Sequence, residues 1–256
     1  MKNNVNFYYC DVSGIEYDAG EVRALSELIG IETPDFRYAA DTVRHVTGLL
    51  LAELALNRFP DRSERGQNSG SAGNAGSFRF FKLSQEKNQK PKLSAVSIGS
   101  RKDGIGRMPG QKIKGMPYVD FNISHSGDIV ICAIADCEVG ADIEKQEKDI
   151  SKVLSHFCSE VERLWLDTHR SLKEQYSLWT LKESFLKCTG EGMKDIRTMP
   201  PLADSSGLKS RAGDYELKSL DIAEGYSAAL CVKGTAGSIS IEEVKAAEII
   251  KFKHGR

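Results

Sequence analysis

The chain has 256 residues and a formal net charge of −1, with 40% apolar and 28% charged residues. This balance is ordinary for a folded globular protein of one large or two small domains. It excludes the strong overall basicity by which many nucleic-acid-binding proteins attract phosphate, so we expect no nucleic-acid partner and only a local anion-binding surface.

The sequence carries no sign of a membrane or secreted protein. No stretch approaches the roughly eighteen consecutive apolar residues of a transmembrane helix. The beginning of the chain, MKNNVNFYYCDVSG, lacks the apolar run of a signal peptide. The six cysteines show no C-x-x-C spacing, and several lie within apolar segments. We therefore expect a cytoplasmic protein with reduced cysteines and no membrane partner.

The first 115 residues predict strands, one long helix and two loops. Residues 5–12 alternate loosely, as in a strand, and residues 39–57 repeat apolar side chains at helical spacing. The Gly- and Ser-rich segment 66–77 predicts a flexible loop, because its side chains cannot pack. FRFFKL, from Phe78, predicts a further strand. Residues 98–115 form a basic, Gly-rich loop, which either binds phosphate or is simply solvated.

A hairpin is predicted near the middle of the chain. The polar run NISHSG, which starts at Asn122, leads into the apolar strand 129–135. Residues 136–138, Asp-Cys-Glu, have turn chemistry, and residues 139–144 form the next strand. The hairpin thus places a histidine flanked by two serines at one end and two carboxylates at the other.

Helices dominate the next segment. Ser159 and Glu162 have the spacing of a capping box, in which a serine begins a helix and a glutamate folds back onto its first residue. A longer helix is predicted at 172–188, and Gly190 and Gly192 mark its end. Three more strands are predicted at 215–222, 226–233 and 238–244.

The order of elements repeats along the chain. Each half contains a strand, helices, a loop and then strands, and each has an apolar strand led by glycine, GDIVICAIAD and GYSAALCVK. We therefore predict an α+β fold made of a pseudo-twofold pair of similar halves, 1–137 and 138–256, with the active site in the cleft between them, since such clefts are common ligand sites.

Asp142 and Glu144 are candidate metal ligands. Their two-residue spacing on a strand places both carboxylates on one face, while Ile143 points to the other face. Two neighbouring carboxylates repel each other unless a cation lies between them, and Mg²⁺ prefers such oxygen ligands together with substrate phosphates. The alternative is an ordinary solvated strand end.

Glu183 and Lys187 are the second candidate pair. They are four residues apart on the long predicted helix and so share a face. Glu183 is either a third metal ligand or a general base, with Lys187 contacting phosphate beside it. The alternative is an exposed helix ion pair that contributes a few tenths of a kcal/mol.

Ser124, His125 and Ser126 offer two hydroxyls, an imidazole and backbone amides, which together suit an anion. A lone histidine is otherwise more often structural. A serine hydrolase does not fit, because Ser124 and His125 point to opposite faces of a strand and the chain has no G-x-S-x-G elbow. Arg44, on the first long helix, is either solvated or a further phosphate ligand.

Four motifs together carry a family resemblance. FNISHSG, GADIE, the Ser-x-x-Glu start in HFCSEVE and WTLKESFLKCTGEG follow one another in order between Phe121 and Met193. In this arrangement the chain resembles the surfactin-synthetase-activating type of 4′-phosphopantetheinyl transferase. Arg44 and Gly48 on the first helix add weaker support, and Ala141 in GADIE replaces a more usual larger aliphatic residue.

The resemblance implies a reaction and its participants. The family moves 4′-phosphopantetheine from coenzyme A to a serine of an apo acyl or peptidyl carrier protein, with Mg²⁺, and releases 3′,5′-adenosine bisphosphate. By resemblance, the metal ligands are Asp142, Glu144 and Glu183, and the catalytic residues are Glu183, Lys187 and His125. Ser124 and His125, assisted by Arg44, would bind the phosphates on the adenosine side of coenzyme A.

One motif departs from the family. A Gly-Lys-Pro segment that helps bind coenzyme A usually lies shortly before FNISHS. Here Gln89-Lys90-Pro91 lies about thirty residues upstream, and Pro109-Gly110-Gln111-Lys112 is only a loose second match. The candidate coenzyme A ligands in this region are therefore Lys90 and Pro91, or Lys112.

Two other functions remain open from the sequence. One is a different Mg²⁺-dependent phosphohydrolase or nucleotidyl enzyme that uses Asp142 and Glu144. The other is a degenerate relative that binds coenzyme A or carrier protein without transfer. An acidic carrier helix predicts a basic or apolar docking patch on this chain. The internal repeat predicts that a monomer contains one complete site.

Overall fold

The computed structural model of the chain describes residues 2–29, 36–59, 80–84, 92–96, 118–190 and 199–254. The helices in these ranges are α1 (Ala19–Ile29), α2 (Ala39–Arg58), α3 (Ser151–Ser155), α4 (Glu160–Thr168), α5 (Leu172–Thr189) and α6 (Ala246–His254). The strands are β1 (Asn3–Asp11), β2 (Phe80–Ser84), β3 (Lys92–Val96), β4 (Asp120–Ser126), β5 (Ile129–Ala135), β6 (Val139–Lys145), β7 (Ala203–Asp204), β8 (Gly207–Leu208), β9 (Arg211–Ala212), β10 (Tyr215–Leu220), β11 (Tyr226–Lys233) and β12 (Ala236–Glu243). The predicted α+β class is confirmed.

Two four-stranded sheets form the centre of the fold. The first has the strand order β12-β1-β5-β4, and the second has the order β6-β11-β10-β9. The pairing of β1 with β12 is parallel, and the other pairings in both sheets are antiparallel. Two short hairpins, β2–β3 and β7–β8, complete the described strands. Strand β4 lies at the end of the first order, and strand β6 lies at the end of the second.

Three apolar clusters define the layers. Alternate residues of the two sheets meet in one cluster, where Phe7 of β1 and Ile143 of β6 are fully buried. The opposite face of the first sheet packs on α2 through residues such as Leu50. The opposite face of the second sheet packs on α5 through residues such as Leu181. The order of layers is therefore helix, sheet, sheet, helix, and central strands such as β5 are buried on both faces.

Most predicted elements are present with shifted ends. The helix expected at 39–57 spans Ala39–Arg58, and the one expected at 172–188 spans Leu172–Thr189. Gly190 ends the latter with a φ of 75°, a left-handed backbone conformation that glycine adopts without steric cost. The strand expected from Phe78 is found at Phe80–Ser84. The predicted loops 66–77 and 98–115, and Gly192, lie outside the described residues.

The last strand crosses between the halves of the sequence. Although β12 follows β11 directly in the chain, it pairs with β1 in the first sheet, with Phe7 opposite Ile241. The first and last parts of the chain thus share a sheet. Within the described ranges, no helix combines the length and the hydropathy that a membrane span would need.

A buried ion pair links α4 to α5. Glu162 and Lys182 are each 1% exposed, with Lys182 Nζ 2.8 Å from Glu162 Oε1. The same carboxylate also accepts hydrogen bonds from the backbone N–H of Ser159, completing the predicted capping box, and from that of Leu202. Glu162 therefore organises three segments, and Lys182 supplies the charge that makes its burial tolerable.

We expect Lys182→Met to lower the free energy of unfolding by about 3–5 kcal/mol, because it leaves the Glu162 carboxylate buried without a counter-charge. The matched control is Lys173→Met on the same helix. The Lys173 side chain is 68% exposed and forms only a surface pair with Asp221, so its loss should cost less than about 1 kcal/mol. Urea unfolding of both variants measures the difference, and equal losses would refute this role for Lys182.

Candidate active site

The site begins where the two edge strands meet. The backbone N–H groups of Val139 and Ala141 on β6 donate to the side chains of Asp120 and Asn122 on β4, each at 3.0 Å. In an ordinary sheet these N–H groups would donate to backbone carbonyls of a neighbouring strand. Here the side-chain oxygens of Asp120 and Asn122 accept the hydrogen bonds instead. Because these contacts fix the register between β4 and β6, they place the polar end of β4 directly beside the candidate carboxylates of β6.

Helix α5 covers the same face of β6 at unusually close range. A Cβ atom added at Gly140 would overlap the carbonyl oxygen of Ser184 and the amide nitrogen of Cys188, and would lie 3.0 Å from Cys188 Cα. Only glycine permits this approach. The close contact brings Glu183 and Lys187 of α5 towards the carboxylates of β6.

Three side chains from three elements meet at the centre of the site. Lys187 Nζ lies 2.6 Å from Asp142 Oδ1 and 3.0 Å from Ser124 Oγ. The Ser124 hydroxyl in turn donates to Asp142 Oδ1 at 2.8 Å. The Asp142 side chain is 4% exposed, and the Lys187 side chain is 28% exposed. This arrangement pairs a buried carboxylate with an ammonium that stays partly accessible from solvent.

Ser126 and Glu144 make the same kind of serine–carboxylate contact two residues further along β4 and β6. Ser126 Oγ donates to Glu144 Oε2 at 2.7 Å and accepts the backbone N–H of Lys145 at 3.1 Å. The hydroxyl therefore fixes the direction of the Glu144 side chain. Ser124 and Ser126 lie two residues apart on β4, just as Asp142 and Glu144 do on β6, so the two pairs are in register.

The carboxylates of the site influence one another. Burial raises the pKa of Glu144, an effect that the Ser126 hydrogen bond opposes and the charge of Asp142 reinforces. Burial also raises the pKa of Glu183, followed by the charge of Asp142, while the Lys187 cation acts in the opposite direction. The site thus concentrates negative charge in a partly desolvated place, which is typical of functional sites.

A stability prediction follows from the raised pKa of Glu183. A carboxyl group whose pKa is higher in the folded than in the unfolded state favours folding at acidic pH, and this contribution is lost as the pH rises through the folded-state pKa. At neutral pH the ionised carboxylate therefore opposes folding. We expect Glu183→Gln to raise the Tm of the metal-free protein by a few degrees at pH 7.5, with the gain shrinking towards pH 4.5.

Thermal unfolding across this pH range measures the effect. The matched control is Glu160→Gln, which changes an exposed glutamate in the first turn of α4. Its Tm difference from the original protein should show little of this pH dependence. A lower Tm for Glu183→Gln at pH 7.5 would contradict the predicted sign.

The donor set fits a divalent cation, although it is not arranged as a finished metal centre. Over the described ranges, no three His, Cys, Asp or Glu side chains are grouped as a ready-made metal site. However, Asp142 Oδ2 is buried and has no hydrogen-bond partner among the described residues. An unpartnered carboxylate oxygen flanked by Glu144 and Glu183 is the chemistry that Mg²⁺ binds in proteins.

A cationic group and an imidazole interact next to the serines of β4. Arg44 donates to the carbonyl oxygen of Gly127 at 2.8 Å and to Asp41 Oδ1 at 2.6 Å. Desolvation lowers the pKa of His125, and the Arg44 and Lys187 cations lower it further. His125 is therefore held as a neutral imidazole, able to donate one hydrogen bond and accept another.

The structure brings together most of the predicted site residues. Ser124, Asp142 and Lys187 are in direct contact, and Glu144 and Glu183 are coupled to them electrostatically. Arg44 and His125 are linked to this cluster electrostatically, since the Arg44 and Lys187 cations both lower the pKa of His125. Lys90, Pro91 and Lys112, the candidate coenzyme A ligands, lie outside the described residues.

Sequence reasoning missed several contributors. Asp120 and Asn122 were not singled out, although their alternation with Ser124 along β4 was a visible signal. His45 was also missed. Its Nε2 atom is buried and has no hydrogen-bond partner in the described part of the chain, and its pKa is lowered by desolvation and by nearby His125. His45 follows Arg44 directly, so the sequence could have indicated it.

Comparison with known proteins shows that the second half of the chain is similar to one family. Residues 138–241 match the model of the 4′-phosphopantetheinyl transferase superfamily. This range contains Asp142, Glu144, Glu183 and Lys187. The resemblance predicted from the motifs is confirmed by this match and by the relatives of the same description.

Curated relatives match parts of the chain. The 4′-phosphopantetheinyl transferase gsp of Aneurinibacillus migulanus is 41% identical over 86 residues, which cover 31% of this chain and 36% of that protein. The 4′-phosphopantetheinyl transferase Sfp of Bacillus subtilis is 32% identical over 128 residues, which cover 46% of this chain and 57% of that protein. The chain therefore spans less than two thirds of the length of either relative.

Proposed function

We propose that this protein transfers 4′-phosphopantetheine from coenzyme A to a serine of an apo acyl or peptidyl carrier protein. The proposal starts from the match of residues 138–241 to the model of the 4′-phosphopantetheinyl transferase superfamily. The products are the holo-carrier and 3′,5′-adenosine bisphosphate. The observation that carries the proposal is the contact of Lys187 with Asp142 and Ser124, flanked by Glu144 and Glu183. A cation, carboxylates and a hydroxyl are the groups that a pyrophosphate ester requires.

Asp142, Glu144 and Glu183 are the residues that would hold Mg²⁺. The unpartnered Oδ2 of Asp142 and the raised pKa values of both glutamates support this assignment. Bound Mg²⁺ supplies positive charge to the pyrophosphate of coenzyme A. Ser126 orients the Glu144 side chain through its hydrogen bond. A ligand that is held in one orientation binds a metal ion more tightly than a mobile ligand does.

Lys187 and Glu183 serve the reacting atoms. The Lys187 ammonium is partly exposed, so it can contact the departing phosphate. Glu183 accepts the proton of the carrier serine, directly or through water. A carboxylate that also binds Mg²⁺ has a lowered pKa and is a weaker base, which favours the relay through water.

The adenosine end of coenzyme A lies on the side of Ser124 and His125 in this proposal. The neutral His125 imidazole and the Arg44 guanidinium can both donate to phosphate oxygens. Arg44 also holds the turn at Gly127, so the phosphate would meet a fixed donor. Lys90, Pro91 and Lys112 remain proposed coenzyme A ligands on the strength of the motif alone.

We further propose that the chain acts as a cytoplasmic monomer whose active site lies in a cleft between two related halves, 1–137 and 138–256. A long helix covers each sheet, α2 in the first and α5 in the second, which supports the relation between halves. Residues of the site come from β4 in one half and from β6 and α5 in the other. The six cysteines all lie in the described ranges, and none of them is in a disulfide, which is compatible with a reducing compartment.

The proposal is tested by following the nucleotide product. The protein is incubated with coenzyme A, Mg²⁺ and an apo carrier protein, and 3′,5′-adenosine bisphosphate is quantified by chromatography. We expect its release to require the carrier and to stop when the carrier serine is replaced by alanine. Release without carrier would instead favour a phosphohydrolase, and coenzyme A binding without release would favour a degenerate binder.

A further inference from the structure

The Lys187 ammonium contacts one oxygen of the carboxylate that is proposed to bind a metal ion. Its Nζ is 2.6 Å from Asp142 Oδ1, which is a close charge-assisted contact, and 3.0 Å from Ser124 Oγ. Glu144 and Glu183, the other two proposed ligands, interact electrostatically with both Asp142 and Lys187. Lys187, four residues after Glu183 on α5, therefore places one positive charge near three carboxyl groups.

This placement has a clear electrostatic cause. Without any cation, the three carboxylates would repel one another in a partly desolvated site. Burial is the main cause of the raised pKa values of Glu144 and Glu183, and the charge of Asp142 adds to it in both cases. Lys187 offsets part of that repulsion in both cases. The ammonium can do so because its stem is long and flexible, and its 28% exposure leaves it room to move.

The same placement conflicts with a bound ion. An ammonium in direct contact with Asp142 Oδ1 would lie close to a divalent cation on the same carboxylate, and two positive charges at that distance repel strongly. Lys187 must therefore loosen its contact with Asp142 when the site is loaded. Once loosened, its charge is available to another anion at the mouth of the site.

We propose that Lys187 is a built-in placeholder for the metal ion, which Mg²⁺ displaces from Asp142 and thereby releases towards the substrate phosphate. This inference rests on the proposed function of the site. It makes metal binding and phosphate binding cooperative, because each event favours the released position of the same side chain. By linkage, the two ligands must strengthen each other by the same factor.

The test is a calorimetric titration of Mg²⁺ alone into the full chain, without coenzyme A or carrier. We expect Lys187→Met to bind Mg²⁺ about tenfold more tightly than the unaltered protein, since the competing cation is gone. Lys187→Gln, which is also neutral but polar, should behave in the same way. Lys187→Arg keeps the charge and should not gain affinity. Lys173→Met on the same helix is the matched control and should leave Mg²⁺ affinity unchanged.

The metal-free proteins give a second readout by thermal unfolding. Lys187→Met should have a lower Tm than the unaltered protein in chelator, and Mg²⁺ should raise its Tm by the larger amount. Equal or weaker Mg²⁺ affinity in both neutral variants would overturn the inference. Absence of Mg²⁺ binding in every protein would overturn it together with the proposed metal site. If the neutral variants bind Mg²⁺ more tightly but the unaltered protein modifies no carrier, the inference holds and the proposed transfer is refuted.

Discussion

Replacing Asp142 with asparagine is expected to lower phosphopantetheinyl transfer about a thousandfold, the scale seen when a charged group that stabilises a transition state is removed. The substitution preserves the size of the side chain but removes the negative charge that contacts Lys187 and is proposed to bind the metal ion. The Ser124 hydroxyl can still donate to the amide oxygen, so the connection to β4 is retained. The initial rate of carrier modification at saturating coenzyme A and Mg²⁺ measures the effect.

Asp221→Asn provides the matched control for this variant. Asp221 is 93% exposed and pairs only weakly with Lys173, so its replacement should leave the rate within about twofold. The far-ultraviolet circular dichroism of both variants should match that of the unaltered protein. If the Asp142→Asn protein keeps a tenth or more of the activity, with the same dependence on Mg²⁺, then Asp142 is not a metal ligand.

The second large effect is expected at Gly140. An alanine there would drive its Cβ into the backbone of α5 at Ser184 and Cys188, and neither backbone atom can move without shifting the helix. We expect Gly140→Ala to lower the free energy of unfolding by about 3 kcal/mol or more. Because α5 carries Glu183 and Lys187, we also expect transfer by the folded fraction to fall about a hundredfold.

Gly14→Ala is the appropriate control for a glycine substitution. An added Cβ at Gly14 meets no atom of the described structure within 4 Å, so stability should change by no more than about 0.5 kcal/mol. Urea unfolding gives the free energies, and rate measurements at low temperature separate activity from stability. If Gly140→Ala is as stable as Gly14→Ala, then α5 does not pack on β6 as closely as the structure shows.

Much of the site could be predicted because it depends on local patterns. The two-residue spacing of Asp142 and Glu144 on a strand places them on one face wherever that strand lies. The Ser159 and Glu162 capping box located the start of α4, and Ser171 and Glu174 repeat the same signal at the start of α5. Such patterns survive changes in the rest of the fold, so single-sequence reasoning finds them.

Features that depend on distant segments could not be predicted in this way. Alternation indicated a strand at 238–244 but could not name its partner, and that strand pairs with β1 at the other end of the chain. The buried Glu162–Lys182 pair joins two helices, so only the tertiary structure reveals it. The β4 serines looked like free phosphate donors in sequence. In the structure they donate to Asp142 and Glu144.

The most direct test of the proposed function is the intact mass of an apo carrier protein after incubation with this protein, coenzyme A and Mg²⁺. The proposed transfer predicts a gain of about 340 Da, the mass of a phosphopantetheinyl group delivered from its cofactor. The gain should disappear with chelator and with Glu183→Gln. A carrier whose mass is unchanged after incubation with active, folded protein would contradict the proposed function.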